Sequence, residues 1–236
     1  MSHFIYSPVY GRQPWLMTED SSEIADFFKT VGLPFLSRRR DIINLGHEHR
    51  VFWIEAGLLA TSPTVVDQNQ RLIGLFSRNT LLGGVRTVGH PGETMSLVAT
   101  ALTDTHGYAV SSATYRQWLS EDPKREKSVL LNCIAKSECQ LEGVLFNDLC
   151  PVDYRVEVAI AMLFKAANVS MLSLPTILPW EITVTDIAFL VHAERAMVSK
   201  AIAKLINKGV IDKSGRHLML RQLSKEIQSW VIPQAL

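Results

Sequence analysis

The stretch Ile182–Leu205, ITVTDIAFLVHAERAMVSKAIAKL, decides how this chain is read. Thr183 can cap a first helix over roughly Val184–Val191, whose Ile187, Leu190 and Val191 fall on one side. His192-Ala193 marks a tight turn. A second helix begins near Glu194 and carries Val198, Ile202, Leu205 and Ile206 at i, i+4, i+7 and i+8, a one-sided apolar stripe. Its other side presents Arg195, Ser199, Lys200 and Lys204. Side chains three and four apart are helix neighbours, so Arg195 lies above Ser199 and Ala196 above Lys200. A surface this small and cationic fits a DNA major groove. Taken alone, the segment equally fits an amphipathic hairpin with solvated lysines.

The next residues separate these readings. Asn207-Lys208-Gly209 stops the second helix, and Val210-Ile211 and His217–Leu220 read as strands joined by a loop over Asp212–Arg216. A helix pair followed by a hairpin is a winged helix. Between Arg195 and Lys225 eight cations face a single acid, Asp212. That local excess matters more than the whole-chain net charge of +1, because attraction to phosphate depends on charge near the docking face.

The 236 residues suit one large domain or two smaller ones, and a hydrophobic content of 47% supports ordinary cores. Met1–Met17 lacks a basic segment followed by a long apolar run, and no stretch approaches the roughly 20 apolar residues that span a bilayer. A cytoplasmic protein without a membrane partner is expected. Cys133, Cys139 and Cys150 are odd in number and lack a paired C-x-x-C spacing, so reduced, inert thiols are expected rather than disulfides or a zinc site.

N-terminal to the helix pair, a helix is expected around Glu19–Val31, capped by Asp20 or Ser21, with Ile24, Phe27 and Phe28 on its apolar face. Short apolar runs then alternate with turn residues: Asp41–Leu45, Val51–Ile54, Leu58–Ala60, Thr64–Val66, Arg71–Phe76, Met95–Ala101 and Tyr108–Val110. Such spacing predicts an antiparallel β-roll or barrel. Pro123 opens a long helix reaching about Asn147, in which Leu130, Ile134, Ser137, Leu141 and Val144 form a short coiled-coil seam. The stripe fits either the protein's own barrel or a second copy. The second copy is preferred, because a lone helix linking two domains is expected to have few partners in its own chain. A further helix over Asp153–Ala167 buries Val156, Ile160, Leu163 and Phe164, and Leu172–Pro179 reads as loop and edge strand.

In this order the parts resemble the Crp/Fnr family of bacterial transcription regulators. The resemblance covers nearly the whole chain and is strongest over Ile182–Leu220. Further support comes from Gly46 and Gly57 at turns, Ile73–Phe76 before the Leu81-Leu82-Gly83 turn, and Tyr115–Leu119 ahead of the long helix. It implies an α+β fold: an antiparallel, jelly-roll-like β-roll over residues 1–122, a dimerisation helix over 123–150 and a winged helix-turn-helix over 151–236. It also implies base reading by Arg195, Ala196, Ser199 and Lys200, phosphate contacts from Thr185, Lys204, Ser214 and Arg216, and a homodimer seam through Leu130, Ile134, Leu141 and Val144. Many members have glutamate where Ala196 stands and arginine where Lys200 stands, so the common family half-site does not carry over. Cyclic-nucleotide members have a Gly-Glu pair and a later Arg-Ser/Thr-Ala; here Gly83-Gly84 and Glu93-Thr94-Met95-Ser96 stand instead, and Arg86 is misplaced to substitute. Carboxylate and cation are both missing, so cyclic-AMP dependence is not expected. Iron–sulfur members carry a cysteine cluster, and no cysteine precedes Cys133.

Two other functions compete. Gly46-His47-Glu48-His49, with Glu55 and Gly57 beyond, is similar to a cupin metal box, because histidines at i and i+2 share one side of a strand. A matching second motif is missing, since His90-Pro91-Gly92 has the wrong order, and solvated turn histidines are preferred. Alternatively, the winged helix has lost DNA and its basic face meets an acidic protein. The preferred reading is a homodimeric DNA-binding regulator that is not an enzyme and holds no cofactor or metal. Double-stranded DNA is its partner, RNA polymerase a candidate further partner, and the effector is open.

Overall fold

Val51-Phe52-Trp53-Ile54 is apolar on both sides of the pleat, so this strand must be covered on both faces. The computed structural model describes residues 6–45, 49–64, 71–84, 97–171, 173–224 and 227–228, and places this run at the centre of a first compact unit, Leu16–Gln140. That unit holds α1 (Ser22–Val31), β1 (Leu33–Ser37), β2 (Ile42–Asn44), β3 (Arg50–Ala56), β4 (Leu59–Pro63), β5 (Gly74–Phe76), β6 (Thr80–Leu82), β7 (Leu97–Ala101), β8 (Thr105–Ser111), α2 (Ser112–Ser120) and the first part of α3 (Pro123–Leu149). Two four-stranded antiparallel sheets, ordered β1-β8-β3-β6 and β2-β7-β4-β5, face each other. Phe52 and Ile54 enter the core between them with Leu59, Phe76, Leu82 and Ala99. Val51 and Trp53 point the other way, into Ile24 and Phe28 of α1, Tyr115 and Leu119 of α2, and Val129 of α3. Gly107 lets β8 pass close to β3, since a Cβ there would lie 2.0 Å from the Trp53 carbonyl oxygen.

The α+β roll expected from the sequence is present, with differences in detail. Leu33–Ser37 and Thr80–Leu82 are strands where a helix end and a turn were expected. Helix α1 begins at Ser22 rather than Glu19. Asp20 caps nothing, because its Oδ2 accepts from the Leu81 amide at 2.6 Å and from Lys136 Nζ. Arg71–Ile73 lies outside β5. Gly57 turns the chain between β3 and β4 with φ +100°, whereas Gly46, residues 65–70 and residues 85–96 lie outside the described residues.

The second unit joins the residues before Leu16 to Leu141 and onward. It contains the end of α3, α4 (Val152–Ala166), β9 (Thr176–Ile177), α5 (Val184–Leu190), α6 (Arg195–Asn207), β10 (Ile211–Ser214) and β11 (His217–Leu220). Val156, Val158, Ile160, Met162, Leu163 and Phe164 of α4 are all buried, so this helix is covered on most sides beyond its first turn. Strand β9 is the expected edge strand, in the order β10-β11-β9. Among the described residues no helix is long and apolar enough to cross a membrane.

Helix α3 corrects one expectation. Its outward residues Leu130, Ile134, Leu141 and Val144 are 45–49% exposed. Its other face has many partners in the chain, since Val129, Lys136, Cys139, Glu142, Phe146 and Asn147 are buried. Cys139 and Cys150 are buried and Cys133 is half-buried, and none of the three is in a disulfide among the described residues. Burial pushes the Cys150 thiol up to about 12 and raises that of Cys133, the opposite of what a reactive thiolate needs.

Candidate nucleic-acid interface

The helix pair is fixed at both ends of its first member. Thr183 Oγ1 accepts from the Asp186 amide at 3.1 Å, and Asp186 Oδ2 accepts from the Thr183 amide at 2.8 Å, a reciprocal cap that the sequence supplies three residues apart. At the other end, Leu190 O accepts from Asn147 Nδ2 at 2.9 Å, and Val191 O accepts from Arg155 Nη1 at 2.7 Å. Helix C-termini leave such carbonyls without partners, so Asn147 of α3 and Arg155 of α4 hold the end of α5 where the turn begins. His192 makes that turn with φ 47°, and Glu194 stands at the N-cap of α6. Asn147 and Arg155 carry no local pattern that marks this role.

Helix α6 buries Val198, Ala201, Ile202 and Leu205 and exposes Arg195, Ala196, Met197, Ser199, Lys200, Ala203 and Lys204. At about 100° per residue, Ala196, Lys200 and Ala203 point most directly outward. Arg195 and Ser199 form one shoulder of that face, and Met197 and Lys204 the other. Met197, 46% exposed, was absent from the sequence-derived candidates; its signal is that it is a large apolar residue off the apolar stripe.

The cations divide into two groups. Lys204 Nζ lies 2.6 Å from Asp153 Oδ2 on α4, and Arg216 lies 3.9 Å from Glu181. Arg221 Nε donates to Asp212 at 3.0 Å, and that guanidinium holds the Asp212 carboxyl below the usual carboxylate range. Arg195, Lys200, Lys208 and Lys213 make no ion pair with another described residue. The positive excess counted along the stretch is therefore partly offset, because Asp153 and Glu181 lie outside the stretch but reach into it.

The wing is tighter than expected. Ser214 pairs with His217, leaving Gly215-Arg216 as a two-residue turn, with Gly215 at φ +61°. Asp212, Lys213 and Ser214 thus belong to β10 rather than to a loop. Arg216 stands at the tip with its side chain 84% exposed, Ser214 is half-buried in the strand, and Thr185 is half-buried in the first turn of α5.

On the roll, Gly83 has φ +87° just after β6, while Arg86 and Glu93–Ser96 lie outside the described residues. So do His47 and Glu48; Glu55 pairs with Lys29 at 3.6 Å. Among the described residues no group of three or more His, Cys, Asp or Glu side chains is placed to hold a metal.

No family model matches the chain, and no curated protein matches it in sequence. Solved structures do. FixK2 of Bradyrhizobium japonicum superposes with a TM-score of 0.70 at 16% identity, covering 87% of this chain and 100% of its own. The c-di-GMP responsive global regulator CLP of Xanthomonas campestris gives 0.67 at 15%, covering 85% and 99%. A Crp/Fnr-family transcriptional regulator of Thermus thermophilus gives 0.62 at 15%, covering 86% and 100%. The matches cover most of this chain: it has the fold of the Crp/Fnr regulators.

Proposed function

We propose that the protein is a homodimeric, sequence-specific DNA-binding transcription regulator that acts without cyclic AMP. The observation that carries this reading is the split of α6, with Val198, Ile202 and Leu205 buried while Arg195, Ala196, Ser199 and Lys200 stand in solvent and both cations lack an ion pair with another described residue. Arg195 reads a guanine edge, Lys200 a second acceptor, and Ala196 and Ser199 allow close approach to the bases. Thr185, Ser214, Lys204 and Arg216 meet phosphates, the last two after exchanging their carboxylate partners.

The exposed apolar residues of α3 support a second copy as their cover. In the functional division, residues 1–122 are a sensor-like roll, 123–150 the dimerisation helix and 151–236 the DNA-binding domain. Two recognition helices then enter successive major grooves of a palindromic site, about one helical turn apart. Such a dimer acts on transcription with RNA polymerase as a further partner.

The test is selection of bound duplexes from a random pool, followed by titration across a salt series. A recovered two-fold motif whose affinity falls steeply with salt supports the reading. Salt-insensitive binding without sequence preference overturns it and favours an acidic protein as partner of the same face.

A further inference from the structure

We infer that Met197 is a further base-reading residue, and that with Lys200 it recognises the methyl-bearing edge of a thymine. This rests on the DNA-binding reading and names what α6 selects in its target. Met197 occupies the first turn of α6 and is 46% exposed, although Val198, Ala201, Ile202 and Leu205 of the same helix are buried. The N-terminal part of a recognition helix is the part that reaches base edges. Lys200 follows three residues later, so the two side chains are neighbours on the helix surface. Its ammonium makes no ion pair with another described residue, and neither does Arg195 on the far side of the same turn. Two cations beside the thioether call for a polyanion as its cover rather than an apolar protein surface.

What the helix lacks narrows the choice of base. Between Arg195 and Asn207 there is no aspartate or glutamate, and Glu194 stands before the helix, at its N-cap. In its first two turns the exposed side chains are those of Arg195, Ala196, Met197, Ser199 and Lys200, which offer donors and apolar groups, with the Ser199 hydroxyl as the one acceptor. Donors meet acceptors in the major groove: O6 and N7 of guanine, N7 of adenine and O4 of thymine. Charge alone thus separates these bases poorly. Thymine adds a methyl group next to its acceptor, and a flexible, polarisable thioether packs readily against it. Lys200 on O4 and Met197 on the methyl together make a contact that guanine, adenine and cytosine satisfy at most in part.

The test uses the full chain and the duplex selected from the random pool. Each thymine of a half-site is replaced in turn, in both half-sites, by deoxyuridine, which keeps every hydrogen-bonding group and removes only the methyl. At one position of the motif, wild-type affinity should fall by about fourfold per half-site, the share of one buried methyl. Met197→Ala should bind the thymine and deoxyuridine duplexes alike, whereas Met197→Leu, still apolar, should keep the preference, with melting curves confirming that both variants fold. A selected motif in which no deoxyuridine weakens wild-type binding overturns the inference and leaves the DNA-binding reading standing. So does a full thymine preference in folded Met197→Ala. Should Met197→Ala fail to fold, Met197→Gln is measured in its place, with the same loss of preference expected and its retention equally fatal. If the pool yields no motif at all, the inference and the DNA-binding reading fall together.

Discussion

Helices α6 and α3 each bury an apolar face, but they differ in what they leave outside and in what else they bury. In α6 the apolar stripe faces the chain's own core and the polar side faces water. In α3 the exposed stripe is Leu130, Ile134, Leu141 and Val144, while Lys136, Glu142 and Asn147 are buried at 6%, 0% and 8% exposure. A helix that leaves an apolar stripe outside and buries Lys136 and Glu142 beside Val129, Cys139 and Phe146 has two sets of partners. Its buried polar groups are anchored residue by residue: Lys136 donates to Asp20 and, at 3.1 Å, to Leu81 O. Glu142 accepts from Tyr6 and the Tyr10 amide, and Asn147 holds the end of α5. Its exposed apolar groups have no such address within the described chain. The difference separates what positions the helix from what it offers to another molecule.

The sharpest way to break this contrast is to charge the outward stripe. Ile134→Glu or Leu141→Glu places a carboxylate where an apolar partner must seat, and dimer affinity should fall by about a hundredfold or more. Sedimentation of the purified protein checks this; an unchanged dimer mass would show that the stripe is not the seam. The inward face is tested next. Lys136→Met leaves Asp20 buried without its cation, and a loss of about 3–5 kcal/mol in unfolding free energy is expected from denaturant titration. The double change Lys136→Met with Asp20→Asn should recover much of it, because no uncompensated charge remains.

On the DNA side the expected effects are smaller and selective. Arg195→Ala should lower affinity for the selected duplex by about 1–3 kcal/mol and leave random duplex nearly unchanged, as competition binding would show. Equal loss on both would assign Arg195 to phosphate contact instead.

The legible parts of this chain are those whose signals are local. The Thr183 cap, the turn at His192 and the stripe of α6 lie within a few residues of one another, and each was readable in the sequence. So was the succession of short apolar runs separated by turn residues, and with it the roll. What could not be read depends on distant partners. Asp20 looks like a helix cap in sequence and is instead held by residues 61 and 116 positions away. Leu33–Ser37 contains a proline and follows a helix end, yet pairs with β8 along the edge of a sheet, where a missing amide is tolerated. The wing loop was overextended because Asp212 and Lys213 look like turn residues, whereas the register Ser214 to His217 allows only Gly215-Arg216 to turn. For the interface, counting cations along one segment misses the carboxylates that other segments bring to them.

Lys204 makes that last point testable at the smallest scale. Its ammonium is held by Asp153 at 2.6 Å, with the two side chains 61% and 57% exposed. A phosphate approaching Lys204 must displace a carboxylate already in place, so Lys204→Ala should weaken DNA binding by less than Lys200→Ala, by about threefold or less, on specific and random duplex alike. The opposite change discriminates better. Asp153→Asn frees the ammonium and removes a negative charge beside α6, and under the DNA-binding proposal should tighten binding on all sequences with a steeper salt dependence. If Asp153→Asn instead weakens binding, the pair positions α6 against α4 rather than competing with phosphate, and Lys204 belongs with Arg155 and Asn147 among the residues that hold the helix pair in place.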